Sequence, residues 1–147
     1  MKHRFKAPQA TAVMYSGNKT PFVFGRVKFY QKPNCVLVVA DLEGLPETET
    51  GFYGFHIHQG NSCGGKDFAE SGSHYNPENT PHPRHAGDLP PLMLCGNRAY
   101  LAVLTDRFTV SEIIGRTVIV HSMPDDFHTQ PSGNAGAKIA CGVIKRM

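Results

Sequence analysis

Tryptophan is missing from this chain, and no run approaches the ~18 apolar residues that a membrane-spanning helix needs. A membrane partner is not expected. Helical periodicity never persists beyond a turn or two, which excludes a bundle or a coiled coil. Charged residues make up only 18%, and the 15 Lys and Arg are scattered singly, with no basic run interleaved with aromatics to follow a phosphate backbone. Nucleic acid is therefore not an expected partner, despite a net charge of +3. CxxC pairs are absent, which removes the thiolate zinc patterns; the four cysteines leave room for one or two disulfides, in three pairings if all are used. The start, MKHRFKAPQATAV, carries no apolar stretch of the kind an export leader needs. A cytoplasmic setting is the expectation, although an exported protein whose leader is replaced by Met1 begins the same way.

What is present points to a single folded domain over residues 1–147. That length suits one compact unit, and the 40% of hydrophobic residues are spread along the whole chain, which argues against disorder. Gly 15 and Pro 11 together make about 18% of the chain, above the ~12% of average usage, and favour short strands joined by turns. Candidate strands are Gln9 to Ser16, Phe22 to Tyr30, Cys35 to Leu42, Phe52 to His58, Tyr100 to Thr105, Phe108 to Ile114, Thr117 to His121 and Ile139 to Ile144. The first ends at the turn residues Ser16, Gly17 and Asn18. In the second, Val23, Val27 and Phe29 share one face and Arg26 and Lys28 the other, the period of a half-buried strand. The expected fold is all-β, an antiparallel barrel or sandwich of about eight strands.

Two segments rich in Gly, Pro, Ser, Asn and Asp break the rhythm, Gln59 to Leu94 and Ser122 to Lys138. Most of the eight histidines sit in or beside them. In Phe55-His56-Ile57-His58, alternation sends Phe55 and Ile57 to one face and both imidazoles to the other, about 7 Å apart at the backbone. His74, His82, His85 and Asp88 follow, and three imidazoles with one carboxylate match the ligand set of a tetrahedral zinc site. His121 ends the apolar run 117–120. With His56, His58 and His74 it offers four nitrogens, a set that suits Cu(II). His3 and His128 fit neither set, and Cys35 and Cys95 read as free thiols or small buried hydrophobes. Gly133 to Gly136, GNAG, lacks the Lys and Ser/Thr of a phosphate-cradling loop.

At this point the chain resembles the copper/zinc superoxide dismutase family. The resemblance rests on GFHIHQ at 54–59, GSHYNP at 72–77, HAGDLP at 85–90, GRTVIVH at 115–121 and GNAGAKIACGVI at 133–144, five motifs in the family's order. It implies a Greek-key β-barrel with the metals outside the barrel wall, beneath the two long loops. It implies copper on His56, His58, His74 and His121, zinc on His74, His82, His85 and Asp88, and His74 as the shared imidazolate. It also implies a disulfide between Cys63 and Cys141, and an Asp125 carboxylate that accepts hydrogen bonds from His56 on the copper side and His82 on the zinc side. The implied reaction takes two superoxide ions to oxygen and hydrogen peroxide, with His74 acting in turn as ligand and proton donor.

Lys138 stands where the family usually has Arg, and the resemblance makes it the candidate for a cation near an open copper position. It is the expected cation for the anionic substrate, though without the planar fork of a guanidinium. The 122–137 segment holds Asp125 and Asp126 and no Lys or Arg, so anion steering rests on Lys138, the metals and residues elsewhere. His82 and His85 are spaced more tightly than in animal members, and the interval from His58 to Cys63 is short. The quaternary structure is left open, with a homodimer compatible. A non-enzymatic metal-binding or copper-delivery domain of the same fold is the alternative function, and a sandwich that uses zinc only as a staple is a third.

Overall fold

The computed structural model describes residues 6–17 and 22–147. His3 and Asn18 therefore lie outside the described residues. Nine strands are found among those described: β1 (Ala10–Tyr15), β2 (Phe24–Gln31), β3 (Val36–Glu43), β4 (Phe52–Tyr53), β5 (Phe55–His58), β6 (Leu92–Met93), β7 (Arg98–Thr105), β8 (Thr117–His121) and β9 (Lys138–Arg146). Seven form one antiparallel sheet in the order β5-β8-β9-β1-β2-β3-β7, and β4 pairs with β6 in a second, two-stranded ribbon. β4 runs into β5 through Gly54, and β6 turns into β7 at Cys95 to Arg98, so the ribbon joins the two edge strands of the curled sheet. The expected all-β barrel is what the chain forms.

Alternation builds the core. Val36, Val38, Ala40 and Leu42 of β3, Val27 and Phe29 of β2, and Ala10, Ala12 and Met14 of β1 all point inward and are buried. They meet Phe55 and Ile57 of β5 and Val118 and Val120 of β8 in one cluster. No helix among the described residues is long and apolar enough to cross a membrane.

One expected strand is corrected. Phe108 to Ile114 contains not a strand but a single helical turn, α1 (Val110–Ile113), because Thr109 and Glu112 close a capping box at its start. Val110 and Ile113 then fall on one side and are buried. The long segment after β5 also holds more structure than its composition indicates: a 3₁₀ stretch, Lys66–Ser71, and strand β6.

Cys63 and Cys141 are joined in a disulfide, while Cys35 and Cys95 are free. Around that bond, Phe68 and Ile119 form a small second core that pins the first long loop to β8 and β9. The bond closes a separation of 78 residues, for which the chain-entropy relation gives about 4.5 kcal/mol of stabilisation. Replacing both cysteines by serine is expected to lower the unfolding free energy of the metal-free chain by about that amount in urea titrations. A loss below ~1 kcal/mol would show that the small core, not the bond, holds the loop.

Candidate metal centre

β5 is an edge strand, with backbone groups to satisfy on its outer side. The first long loop satisfies them. Ile57 donates its N–H to Gly87 O at 2.8 Å and accepts from Tyr75 N at 2.8 Å, while Gly87 N closes onto Tyr75 O at 2.9 Å. A Cβ at position 87 would lie 2.2 Å from Ile57 O, so only glycine permits this approach. Bridges pair His58 with His74 and His56 with Asp88. The loop thereby becomes an extra pair of strand-like segments, and its ligand candidates are set beside those of β5. Arg116 strengthens the docking, stacking 4.3 Å from the Tyr75 ring centre and donating to Gln59 O at 2.8 Å.

On the other side of β5, β8 carries His121. A register shift between Val120 and His121 places His121 opposite Lys138, at the end of the sheet. Two groups result: His56, His58, His74 and His121, and His74, His82, His85 and Asp88, each with ligand atoms within 4.8 Å of one another. His74 belongs to both. These seven residues and Asp125 come from strands and loops far apart in sequence, yet all are brought together at one end of the sheet.

The nitrogens are directed. His58 Nδ1 donates to Gly72 O at 2.7 Å and His121 Nδ1 to Gly136 O at 3.2 Å; a carbonyl only accepts, so each Nε2 keeps its lone pair. Those two Nε2 atoms face each other at 3.2 Å. His56 Nε2 and His82 Nε2 share the carboxylate of Asp125, each at 2.8 Å. His74 Nδ1 lies 2.8 Å from Asp88 Oδ1 and 3.3 Å from His85 Nδ1, and His82 Nδ1 lies 3.0 Å from Asp88 Oδ2. Three buried ring nitrogens, His56 Nδ1, His74 Nε2 and His82 Nδ1, have no hydrogen-bond partner among the described residues.

That pattern fits metals. Ligand atoms on a tetrahedral ion with bonds near 2.0–2.1 Å stand roughly 3.3 Å apart, and inward-facing lone pairs at that spacing repel unless a cation lies between them. The tight His82 and His85 spacing does not prevent the zinc-type set from assembling. The outward nitrogens are held by a carboxylate or by carbonyls, which fixes ring orientation and tautomer.

The protonation states agree with ligand duty. Burial pushes His56 down to about 4, against the opposing pull of Asp125. Burial and the neighbouring His56 push His121 down to about 3, and burial with His121 and His74 takes His58 well below its ordinary value. Asp125 would be raised by burial, but hydrogen bonds from His56, His82 and the Phe127 N–H hold it well below the usual carboxylate range. Asp88 is likewise lowered, because His74, His82 and His85 outweigh its burial. At neutral pH His56, His58, His85 and His121 are therefore neutral imidazoles, and Asp88 and Asp125 ionised carboxylates.

Lys138 lines an open cleft of about 500 Å³ together with His58, His74, His121 and Ser132. Its ammonium is turned to the loop, donating to Ser71 Oγ at 2.8 Å, Gly72 O at 2.9 Å and Phe68 O at 3.4 Å. Gly72 O thus serves both Lys138 and His58. The carbonyls of Gly72 and Gly136 escape sequence analysis because a backbone group has no residue signature. His128 pairs with Asp126 at 3.0 Å on the exposed side of its loop, apart from both sets.

Comparison with known proteins agrees with this geometry. The family described as copper/zinc superoxide dismutase matches residues 23–144. The chain is 37% identical to superoxide dismutase [Cu-Zn] of Legionella pneumophila, over 95% of this chain and 88% of that protein. It is 33% identical to the protein of that name in Caulobacter vibrioides, over 92% and 85%, and 35% identical to that of Photobacterium leiognathi, over 82% and 78%.

The buried histidines predict the pH behaviour of the metal-free chain. An unfolded imidazole takes up a proton near pH 6.5, whereas folded His56 resists until about 4, folded His121 until about 3, and folded His58 until well below its ordinary value. Below pH 6.5 the unfolded chain binds more protons, so stability falls with pH. Urea midpoints of the metal-free protein are expected to drop between pH 7 and pH 5, by no more than about 1.4 kcal/mol per pH unit for each imidazole. Equal midpoints would mean that these rings are already protonated or solvated.

Proposed function

This chain belongs to the copper/zinc superoxide dismutase family, and from that premise we propose how its residues divide the work. The protein is an enzyme that converts superoxide to oxygen and hydrogen peroxide, with copper and zinc as cofactors. Copper, when bound, supplies the one-electron redox cycle, which zinc, with no accessible second oxidation state, does not. In our reading His56, His58, His74 and His121 hold copper, and His74, His82, His85 and Asp88 hold zinc.

The observation that carries this reading is the double membership of His74. Its Nδ1 stands among Asp88 and His85, while its buried Nε2 has no hydrogen-bond partner and belongs to the set that includes His58 and His121. An imidazole serving two cations must give up both ring protons, which their combined charge makes feasible near neutral pH. His74 Nε2 is the atom we assign to proton delivery: when not holding copper it would take a proton from solvent and pass it to the reduced substrate, while Nδ1 would remain with the zinc set. Asp125 keeps His56 and His82 in register, so the two sets move as one unit.

Lys138 contributes charge at the cleft. Its three donors all lie on loop acceptors, however, so it serves the substrate by its field more than by direct hydrogen bonds. An arginine there would have five donors and could keep the loop contacts with some to spare. Lys138→Arg is expected to raise kcat/KM for superoxide severalfold at low salt. An equal or lower value would remove Lys138 from the substrate path.

A homodimer is part of the proposal. Phe52 and Met93, paired across β4 and β6, are both exposed apolar side chains of the kind an interface covers. Sedimentation equilibrium yielding only a monomer would remove this part.

The decisive experiment compares superoxide loss by protein loaded with copper and zinc against protein loaded with zinc alone. Fast catalytic loss is expected only with copper, and His121→Ala is expected to abolish it while stoichiometric zinc remains bound. Equal inertness of both forms would transfer the assignment to a non-enzymatic metal-binding role.

A further inference from the structure

The turn that carries two zinc-side ligands is braced from within only in part. His82 and His85 are separated only by Pro83 and Arg84, and Pro83 has no N–H to give. Within the loop, Arg84 N donates to Pro81 O at 2.8 Å, Thr80 Oγ1 to Arg84 O at 2.9 Å, His85 N to Asp88 Oδ2 at 3.0 Å and Asp88 N to His85 O at 3.1 Å. The carbonyls of His82 and Pro83 are met from outside it.

Gln130, on the second long loop, grips His82 by its backbone. Its Nε2 donates to His82 O at 2.7 Å, and its Oε1 accepts from His82 N at 2.9 Å. One carboxamide closes both backbone groups of a single residue, as a neighbouring strand would. The same Nε2 reaches back to His128 O at 3.2 Å, which ties the side chain to its own loop. Arg107, just after β7, holds the other half of the turn by donating Nη1 to Pro83 O at 2.7 Å and His85 O at 3.2 Å.

Asp125 alone does not determine where His82 points. A ring held only at Nε2 is free to pivot as its backbone shifts, carrying Nδ1 out of the set. With the peptide clipped by Gln130 and the ring by Asp125, one direction remains. Gly133, at φ +70°, seals the arrangement: a Cβ there would lie 1.9 Å from Asp125 Oδ1 and 2.6 Å from His82 Nε2, so the loop backbone packs directly over that hydrogen bond.

We propose that Gln130 is a positioning residue for the zinc half of the centre, fixing the direction of His82 Nδ1 through the His82 backbone, with Arg107 bracing the turn at His85. The inference rests on the reading of His82 as a zinc ligand. Its consequence is kinetic retention: zinc stays because its ligand turn cannot swing away.

The test follows zinc release from the copper- and zinc-loaded protein into a colorimetric chelator. Gln130→Met, which keeps the length and loses both hydrogen bonds, is expected to release zinc about ten-fold or more faster, the scale seen when ligand-orienting partners are removed. Gln130→Glu keeps the acceptor for His82 N and loses the donor, so an intermediate rate is expected, as it is for Arg107→Met. Cobalt(II) placed in the zinc set is expected to show altered visible bands in Gln130→Met, while the urea midpoint of the metal-free chain stays unchanged. Release at the parent rate, or acceleration that merely tracks a lower metal-free midpoint, overturns the proposal. His82→Ala separates the two levels. If it abolishes zinc binding while Gln130→Met behaves as the parent, only the positioning role fails; if it binds zinc normally, the ligand reading fails with it.

Discussion

Six imidazoles and two carboxylates are packed out of water against one end of a β-sheet, and the surrounding structure is arranged to make that tolerable. A buried polar atom costs free energy unless it is hydrogen-bonded, and a buried charge costs more. The rings of His56, His58, His82 and His121 therefore divide their nitrogens, one to a fixed protein partner and one to the centre. His74 has no nitrogen to spare, because its two atoms serve the two groups. From this division follow the neutral imidazoles, the strongly acidic Asp125 and the requirement for cations.

Rigidity is shared unequally between the sheet and the loops. His56, His58 and His121 stand on strands whose alternate residues, Phe55, Ile57, Val118 and Val120, are locked in the core. His74, His82, His85 and Asp88 come from a loop with no such anchor, and the fold supplies substitutes. The Cys63–Cys141 bond, the Gly87 contact with β5, the Arg116 stack on Tyr75 and the clips from Gln130 and Arg107 tie that loop at successive points. A site held within a fraction of an ångström needs such support wherever it is built on loops.

Lys138 shows how one residue is drawn between two tasks. In the proposed reading its charge at the cleft attracts an anion, yet its donors secure Ser71 and Gly72, and through Gly72 the ring of His58. Electrostatic attraction acts at a distance and survives this engagement, whereas directed hydrogen bonding does not. The ammonium thus favours encounter over grip.

The strand alternation in β1, β2, β3, β5 and β8 was legible along the chain, because burial on one face of a sheet imposes a period of two. So were the residues of the two clusters and the disulfide, since their motifs stand in the order of a known family. Phe108 to Ile114 turns as a helix because Thr109 and Glu112 cap it, whereas the apolar run around that pair, taken alone, suits a strand equally well. Sequence by itself determined the residue types, their order and the periodicity that sorts core from surface. Tertiary structure alone decided which nitrogen of each ring faces inward, that Lys138 turns to the loop, and that Gln130 and Arg107 brace the His82–His85 turn. Those outcomes depend on backbone carbonyls and N–H groups brought together across separations of 14 to 70 residues, and such groups are the same at nearly every position, so no pattern of side chains announces them.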